Sequence, residues 1–308
     1  MSSTTSASRS SAPSFPWYYR PLEWLLIAIA SLPLAVLYGV AYGLYILLAY
    51  VVRYRYRVVV QNLRNSFPEK TDAEIERLAK QFYRHFADLV VEILKLTTIS
   101  RAELTRRVRL THAEVADRFF AQGRPVIALA SHAGNWDWVL SAGTLLMGAP
   151  ATGVYKPLSN PFFESFMYRL RSRTGAGLVP MRDTLRNMVQ HREAVRSISL
   201  LSDQAAGPED RPYWTTFMHQ DAGFYTSAER LASRFKFPVI YVGIRRLRRG
   251  YYEIDLAELY DGDSPIPTDS YPITEAFVRH LEQTIRENPA AYLWSHRRWK
   301  HKRPVATT

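Results

Sequence analysis

The sequence predicts an α/β fold, a mostly parallel sheet flanked by helices, behind an N-terminal hydrophobic membrane-anchor helix. Three observations carry this expectation. Residues 126–130, Val-Ile-Ala-Leu-Ala, are a short and wholly apolar run, as expected of a strand covered on both faces. The alternation of short apolar runs with stretches of helical periodicity then recurs down the chain, and strand and helix in turn build a parallel sheet. Between Trp24 and Val52 there is no Asp, Glu, Lys or Arg, a longer run than the about 20 residues that cross a bilayer as a helix.

Composition sets the bounds. With 308 residues, 47% of them apolar and 22% charged, the chain has a globular balance that excludes wholesale disorder. Forty Lys and Arg against 28 Asp and Glu leave a net charge of +12, an attraction to phosphate on an anionic bilayer, a nucleic acid or a phosphorylated ligand. The absence of cysteine excludes disulfides, thiolate nucleophiles and Cys-ligated zinc.

Taken in order, residues 1–16 are rich in Ser, Thr, Ala and Pro and read as a disordered tail. Residues 17–57 form the anchor segment. Tyr38, Tyr42, Tyr45 and Tyr50 are many for a lipid-facing core and Pro33 invites a kink, so the segment either spans the bilayer or lies in its interface. A buried helical hairpin is the soluble alternative. Arg53, Arg55 and Arg57 follow the segment, whereas Arg20 and Glu23 are the charges close before it. The positive-inside rule then places the main domain on the cytoplasmic side of the membrane.

Residues 58–303 are assigned to the α/β domain. Thr71 and Glu74 have the spacing of a capping box, opening a long amphipathic helix that runs to about Leu96. Strands are expected at 126–130, 152–155, 178–180, 197–201, 239–245 and 251–256. Helices are expected near 136–147, 161–173, 183–191, 224–235 and 272–287. Ligands of such a sheet collect at the carboxyl ends of its strands.

No P-loop, G-x-S-x-G, G-x-G-x-x-G or H-E-x-x-H motif occurs. The candidates are histidines followed five positions later by an acid. His112 and Asp117 lie in a stretch that reads as helical, where five steps rotate the side chains about 140° apart. His132 and Asp137 differ, because His132 directly follows the 126–130 strand, Gly134 makes the turn, and a helix begins near Asn135. Asp137 can then reach back to the His132 ring. Such a pair serves general-base catalysis, one ring nitrogen taking a proton while the carboxylate holds the other N–H. Backbone N–H groups of Gly134 and Asn135 at the helix start are candidates for stabilising an oxyanion. The plainer reading is a strand-end histidine bonded to a helix cap.

Ser131-His132-Ala133-Gly134-Asn135-Trp136-Asp137 resembles the first block of the glycerolipid acyltransferases, and more closely that of the lipid A biosynthesis (lauroyl and myristoyl) acyltransferase family. Asn62 to Glu69, Val154-Tyr155-Lys156-Pro157 with Asn160-Pro161, Met181-Arg182-Asp183, Ser202-Asp203-Gln204 and Tyr292 to Lys300 resemble further blocks of that family, in its order, from about residue 20 to 303. The resemblance implies a glycerolipid-acyltransferase-like fold. It also implies transfer of a fatty acyl group from a thioester, on acyl carrier protein or CoA, to a hydroxyl of a lipid acceptor, a lipid A precursor or a related lysolipid or glycolipid. His132 would be the base and Asp137 its partner. No cofactor or metal is implied, since the thioester is a co-substrate. Two departures leave the acceptor open: Asp137 stands where many lipid A enzymes carry Glu, and Ala205-Ala206-Gly207-Pro208 replaces their Asp-Tyr-Gly-Pro.

Beyond the pair, Asn135, Lys156, Arg169, Arg182, Asp203 and Gln204 are candidates for substrate binding. Arg169 and Arg182 offer a planar fork to acceptor phosphate or sugar, though Arg169, Arg171 and Arg173 share a helix that reads as solvated surface. Lys156 closes a strand. Asp203 closes a buried strand, where a carboxylate is costly unless paired or functional. Arg245, Arg246, Arg248 and Arg249, with Arg297, Arg298, Lys300, Lys302 and Arg303, are expected to form a basic surface, either suited to acidic carrier protein or anionic membrane or merely solubilising. A noncatalytic protein docking on anionic membrane or nucleic acid would share the charge but leave the ordered blocks unexplained. The acyltransferase reading needs no nucleic-acid partner.

Overall fold

A computed structural model describes residues 13–267 and 269–304. Most of the segment read as a disordered tail lies outside these residues. The central sheet has seven strands: β1 (Val108–Thr111), β2 (Val126–Ala130), β3 (Ala151–Tyr155), β4 (Gly177–Pro180), β5 (Ser197–Leu201), β8 (Val239–Arg248) and β9 (Tyr251–Tyr260). Between β5 and β8 a separate antiparallel hairpin is made by β6 (Tyr213–Phe217) and β7 (Gln220–Phe224). The sheet order is β1-β9-β8-β2-β5-β3-β4, and every pairing is parallel except β8 with β9. The expected α/β architecture and mostly parallel sheet are therefore present. β2 sits in the middle and every residue of it is buried, which is what its unbroken apolar run requires.

The described residues form eleven helices: α1 (Arg20–Ser31), α2 (Leu34–Ile46), α3 (Tyr56–Ser66), α4 (Asp72–Lys95), α5 (Arg101–Arg107), α6 (Glu114–Ala121), α7 (Trp136–Leu146), α8 (Pro161–Ser172), α9 (Thr184–Gln190), α10 (Ser227–Phe235) and α11 (Pro272–Glu287), of which α1, α2 and α3 pack on α4. The capping box at Thr71 and Glu74 forms, with Glu74 bonding back to the Thr71 amide at 2.8 Å. The structure differs from expectation at 111–117, which is not helical throughout. Thr111 ends β1 and His112 has a left-handed backbone (φ +54°) ahead of α6. Its ring meets Asp255 at 2.6 Å, so the His112–Asp117 spacing has no functional geometry.

Pro33 breaks the apolar segment into α1 and α2, and the helical stretch from Leu34 to Val51, 18 residues, is long and apolar enough to cross a membrane by length and composition. Leu34, Leu37, Ala41 and Tyr45 of α2, with Ala49 just beyond it, recur at helical spacing and are buried, on the side packed against α4. Val36, Val40, Tyr42, Leu47, Tyr50 and Val51 point outward and are exposed. Charged groups hold the inner side. The Lys95 ammonium caps the carbonyls of Ala30 and Leu32 at 2.8 Å, and Arg249 reaches the Tyr38 carbonyl at 3.3 Å.

Candidate active site

The site lies where β2 and β5 end side by side. Their parallel register pairs Ala130 with Leu201, so His132 and Asp203, each two residues further on, emerge next to one another. His132 Nδ1 meets Asp203 Oδ1 at 2.7 Å, and the His132 amide donates to Asp203 Oδ2 at 3.1 Å. The carboxylate thereby fixes both the ring and the backbone that carries it. Both side chains are sheltered, His132 13% and Asp203 3% exposed. With Nδ1 carrying the proton toward Asp203, Nε2 is left as the acceptor and faces the Gln204 amide nitrogen at 3.4 Å. The edge of the Trp136 ring packs against the imidazole, centroids 4.9 Å apart.

Charge follows from this geometry. Burial opposes protonation of His132, but the Asp203 carboxylate and its hydrogen bond, with the more distant charge of Asp137, outweigh it and raise the imidazole above its ordinary pKa. For Asp203, burial favours the neutral acid, and the His132 partner overcomes this and holds the carboxyl below the usual range.

The expected His132–Asp137 contact is not formed. Asp137 is buried in the first turn of α7 and is held by Arg171 of α8, whose Nε lies 2.5 Å from Oδ1 and Nη2 3.4 Å from Oδ2. A buried carboxylate needs a close cation, and Arg171 supplies it from a helix that had read as solvated surface. The strand register meanwhile brings Asp203 to the ring nitrogen that Asp137 was expected to fill. Asn135 caps α7, accepting from the Trp138 amide at 3.0 Å, and its own amide donates to Glu92 Oε2 at 3.0 Å. Glu92, on α4 and fully buried, also accepts from the hydroxyls of Tyr252 (2.6 Å) and Tyr38 (3.0 Å). Burial pushes its carboxyl up.

Residues 291–293 strap the loop. The Gly134 amide donates to the Ala291 carbonyl at 2.9 Å and the Leu293 amide to the His132 carbonyl at 3.1 Å. The Gly134 N–H is therefore engaged and does not serve an oxyanion. Gly134 itself is required by space and conformation: φ is +57° and a Cβ there would lie 2.6 Å from Ile244 Cγ2.

The remaining candidates scatter. Lys156 follows β3, two strands from β2 and so roughly 10 Å along the sheet edge, and is exposed. Arg182 follows the edge strand β4, is 82% exposed and meets the neighbouring Asp183 at 3.5 Å. Arg169 is paired with Glu23 of α1 and lies over the Phe15 ring, so it ties down the N-terminal segment. Two residues reach the site without having been candidates for it. Arg171 is one. The other is His296, whose Nε2 accepts from the Ala205 amide at 3.4 Å and whose pKa falls to about 4 through burial and the nearby cations. His296 belongs to the strap region, and its place in a Trp-Ser-His-Arg-Arg run was the available signal.

The fold and this block together define an acyltransferase. The family model described as bacterial lipid A biosynthesis acyltransferase matches residues 16–301, and the chain belongs to that family. It is 24% identical to the lipid A biosynthesis lauroyltransferase of Escherichia coli over 94% of each chain. It is 23% identical to the lipid A biosynthesis palmitoleoyltransferase of the same organism, over 94% of this chain and 92% of the relative. With the lipid A biosynthesis acyltransferase of Haemophilus influenzae it shares 21% identity over 76% of this chain and 72% of the relative.

Proposed function

We propose that this chain transfers a fatty acyl group from an acyl thioester, on acyl carrier protein or CoA, to a hydroxyl of a lipid A precursor or related lipid, with His132 as general base. The buried His132–Asp203 pair, at the carboxyl ends of adjacent parallel strands, is the observation that carries this reading. His132 Nε2 takes the acceptor hydroxyl proton as the oxygen attacks the thioester carbonyl carbon. The tetrahedral intermediate collapses with cleavage of the C–S bond, and the imidazolium returns the proton to the departing thiolate. Asp203 holds Nδ1–H, fixing the tautomer and favouring the imidazolium that forms. Asp137 acts less directly, adding negative charge near the ring and keeping Arg171 in place. Gln204 stands beside Nε2, where it can orient the incoming hydroxyl.

We read α1 and α2 as the attachment to the cytoplasmic face of the inner membrane. Their outward residues are apolar, while Lys95, Arg249, Arg84 and Asp88 stand along the inner side. Drawing α2 across a bilayer would take such groups into hydrocarbon at about 2.5–3.5 kcal/mol each. The segment therefore lies on the membrane, apolar face down.

Membranes carrying the His132→Ala variant, supplied with acyl carrier thioester and a lipid A precursor, are expected to lose transfer while the protein keeps its thermal transition. His112→Ala should transfer normally. Wild-type transfer by the His132 variant would end the general-base reading.

A further inference from the structure

We propose that the cavity between α2, α4 and the β8–β9 turn binds the phosphate of a membrane-lipid headgroup, at a site separate from His132. The cavity is about 420 Å³ and is lined by Tyr42 and Tyr45 of α2, Arg84 and Asp88 of α4, Arg246 of β8 and Arg249 of the turn. Its charge does not balance. The two guanidiniums of Arg246 and Arg249 share the single carboxylate of Asp88, at 2.6 and 2.5 Å. Arg84 is exposed, lies 5.2 Å over the Tyr45 ring and has no carboxylate within ion-pair distance among the described residues. Three cations against one anion leave two positive charges facing one space, and guanidinium forks suit phosphate oxygens. The Arg246 Nε is in addition buried without a hydrogen-bond partner, a donor that a ligand or water must satisfy.

The position of the cavity selects a lipid over a soluble anion. One wall is α2, and Tyr42 belongs both to that wall and, 59% exposed, to the apolar outward face that carries Val36, Val40 and Leu47. A bilayer touching that face sets its headgroups, with their phosphates, at the level of the tyrosines, as aromatic residues do at membrane interfaces. Asp88 is one helical turn before Glu92, which holds Asn135. The cavity therefore lies close to the catalytic loop without containing any of its reacting groups.

The inference rests on the reading of α1 and α2 as membrane-facing, and two measurements separate the failure of each. The full chain in nonionic detergent is titrated with dihexanoyl phosphatidate, dihexanoylglycerol and inorganic phosphate. Attachment is followed independently by sedimentation with phosphatidylcholine vesicles. Phosphatidate should bind saturably, dihexanoylglycerol should not bind, and inorganic phosphate should bind at least about tenfold more weakly than phosphatidate. Arg84→Gln and Arg249→Gln should each weaken phosphatidate about tenfold, a change of about 1.4 kcal/mol, whereas Arg192→Gln, which does not line this cavity and pairs with Glu193 instead, should not. Unchanged phosphatidate affinity in both cavity variants overturns the site, as does equal binding of dihexanoylglycerol. Inorganic phosphate binding as tightly as phosphatidate overturns the lipid assignment. Loss of sedimentation with vesicles overturns the membrane-facing reading instead.

Discussion

Asp203 and Asp137 show how two buried carboxylates near one imidazole divide the work. Asp203 touches the ring and Asp137 touches Arg171, so their amide variants should fail differently. Asp203→Asn keeps the shape but loses the charge that offsets burial of the imidazole. Transfer should fall by about a hundredfold to ten-thousandfold, the usual weight of a positioned base. The base must be neutral to work, and its pKa is raised, so the wild-type rate should climb with pH over a limb above about 6.5, the ordinary histidine value. In Asp203→Asn burial is unopposed at that nitrogen, and the limb should move to lower pH. A rate profile with the limb unmoved would remove Asp203 from its role. Asp137→Asn instead strands a largely buried guanidinium, and unfolding should be easier by about 3 kcal/mol or more. Calorimetry decides: a full loss of activity at unchanged stability would put Asp137 back at the reacting centre.

Elements read from sequence in proportion to how fully they are buried. β2, β3, β4 and β5 are covered by helices and announce themselves as apolar runs, and each was expected within a residue of its place. β1 is an edge strand reading Val-Arg-Leu-Thr, and the β6–β7 hairpin mixes aromatic, Thr and Asp residues. Neither has the continuous apolar pattern, and neither was foreseen. The turn from β2 to α7 was legible because its parts are local: a strand end, a glycine and an asparagine cap. Its tolerance is equally local. Gly134→Ala meets Ile244 at 2.6 Å with an unfavourable φ, so it should displace His132 and reduce transfer at least about tenfold. Ile244→Ala in the same chain should recover part of that loss by opening the space. Full activity of Gly134→Ala alone would mean that the loop adapts without moving the base.

At the level of the molecule, what sequence could not convey is which elements become neighbours. Both ends of the His132–Asp203 contact follow correctly expected strands, yet nothing local says that 126–130 pairs with 197–201. The register does. The same holds for the anchor: charge-free length suggested a membrane span, and only the packing of α2 on α4 reveals that charged groups line its inner side. A crossing helix puts the two chain ends on opposite sides of the bilayer, whereas a helix lying on the surface keeps them together. In sealed inverted vesicles, protease-cleavable tags placed before residue 1 and after residue 308 should therefore both be removed from the outside, at similar rates. Protection of the N-terminal tag alone would show that α2 crosses, with the domain docked against it from the cytoplasm. That outcome would require the lysine and arginines beside α2 to leave their present partners, since at 2.8 Å from the Ala30 carbonyl Lys95 is fixed to the segment that would have to enter the hydrocarbon.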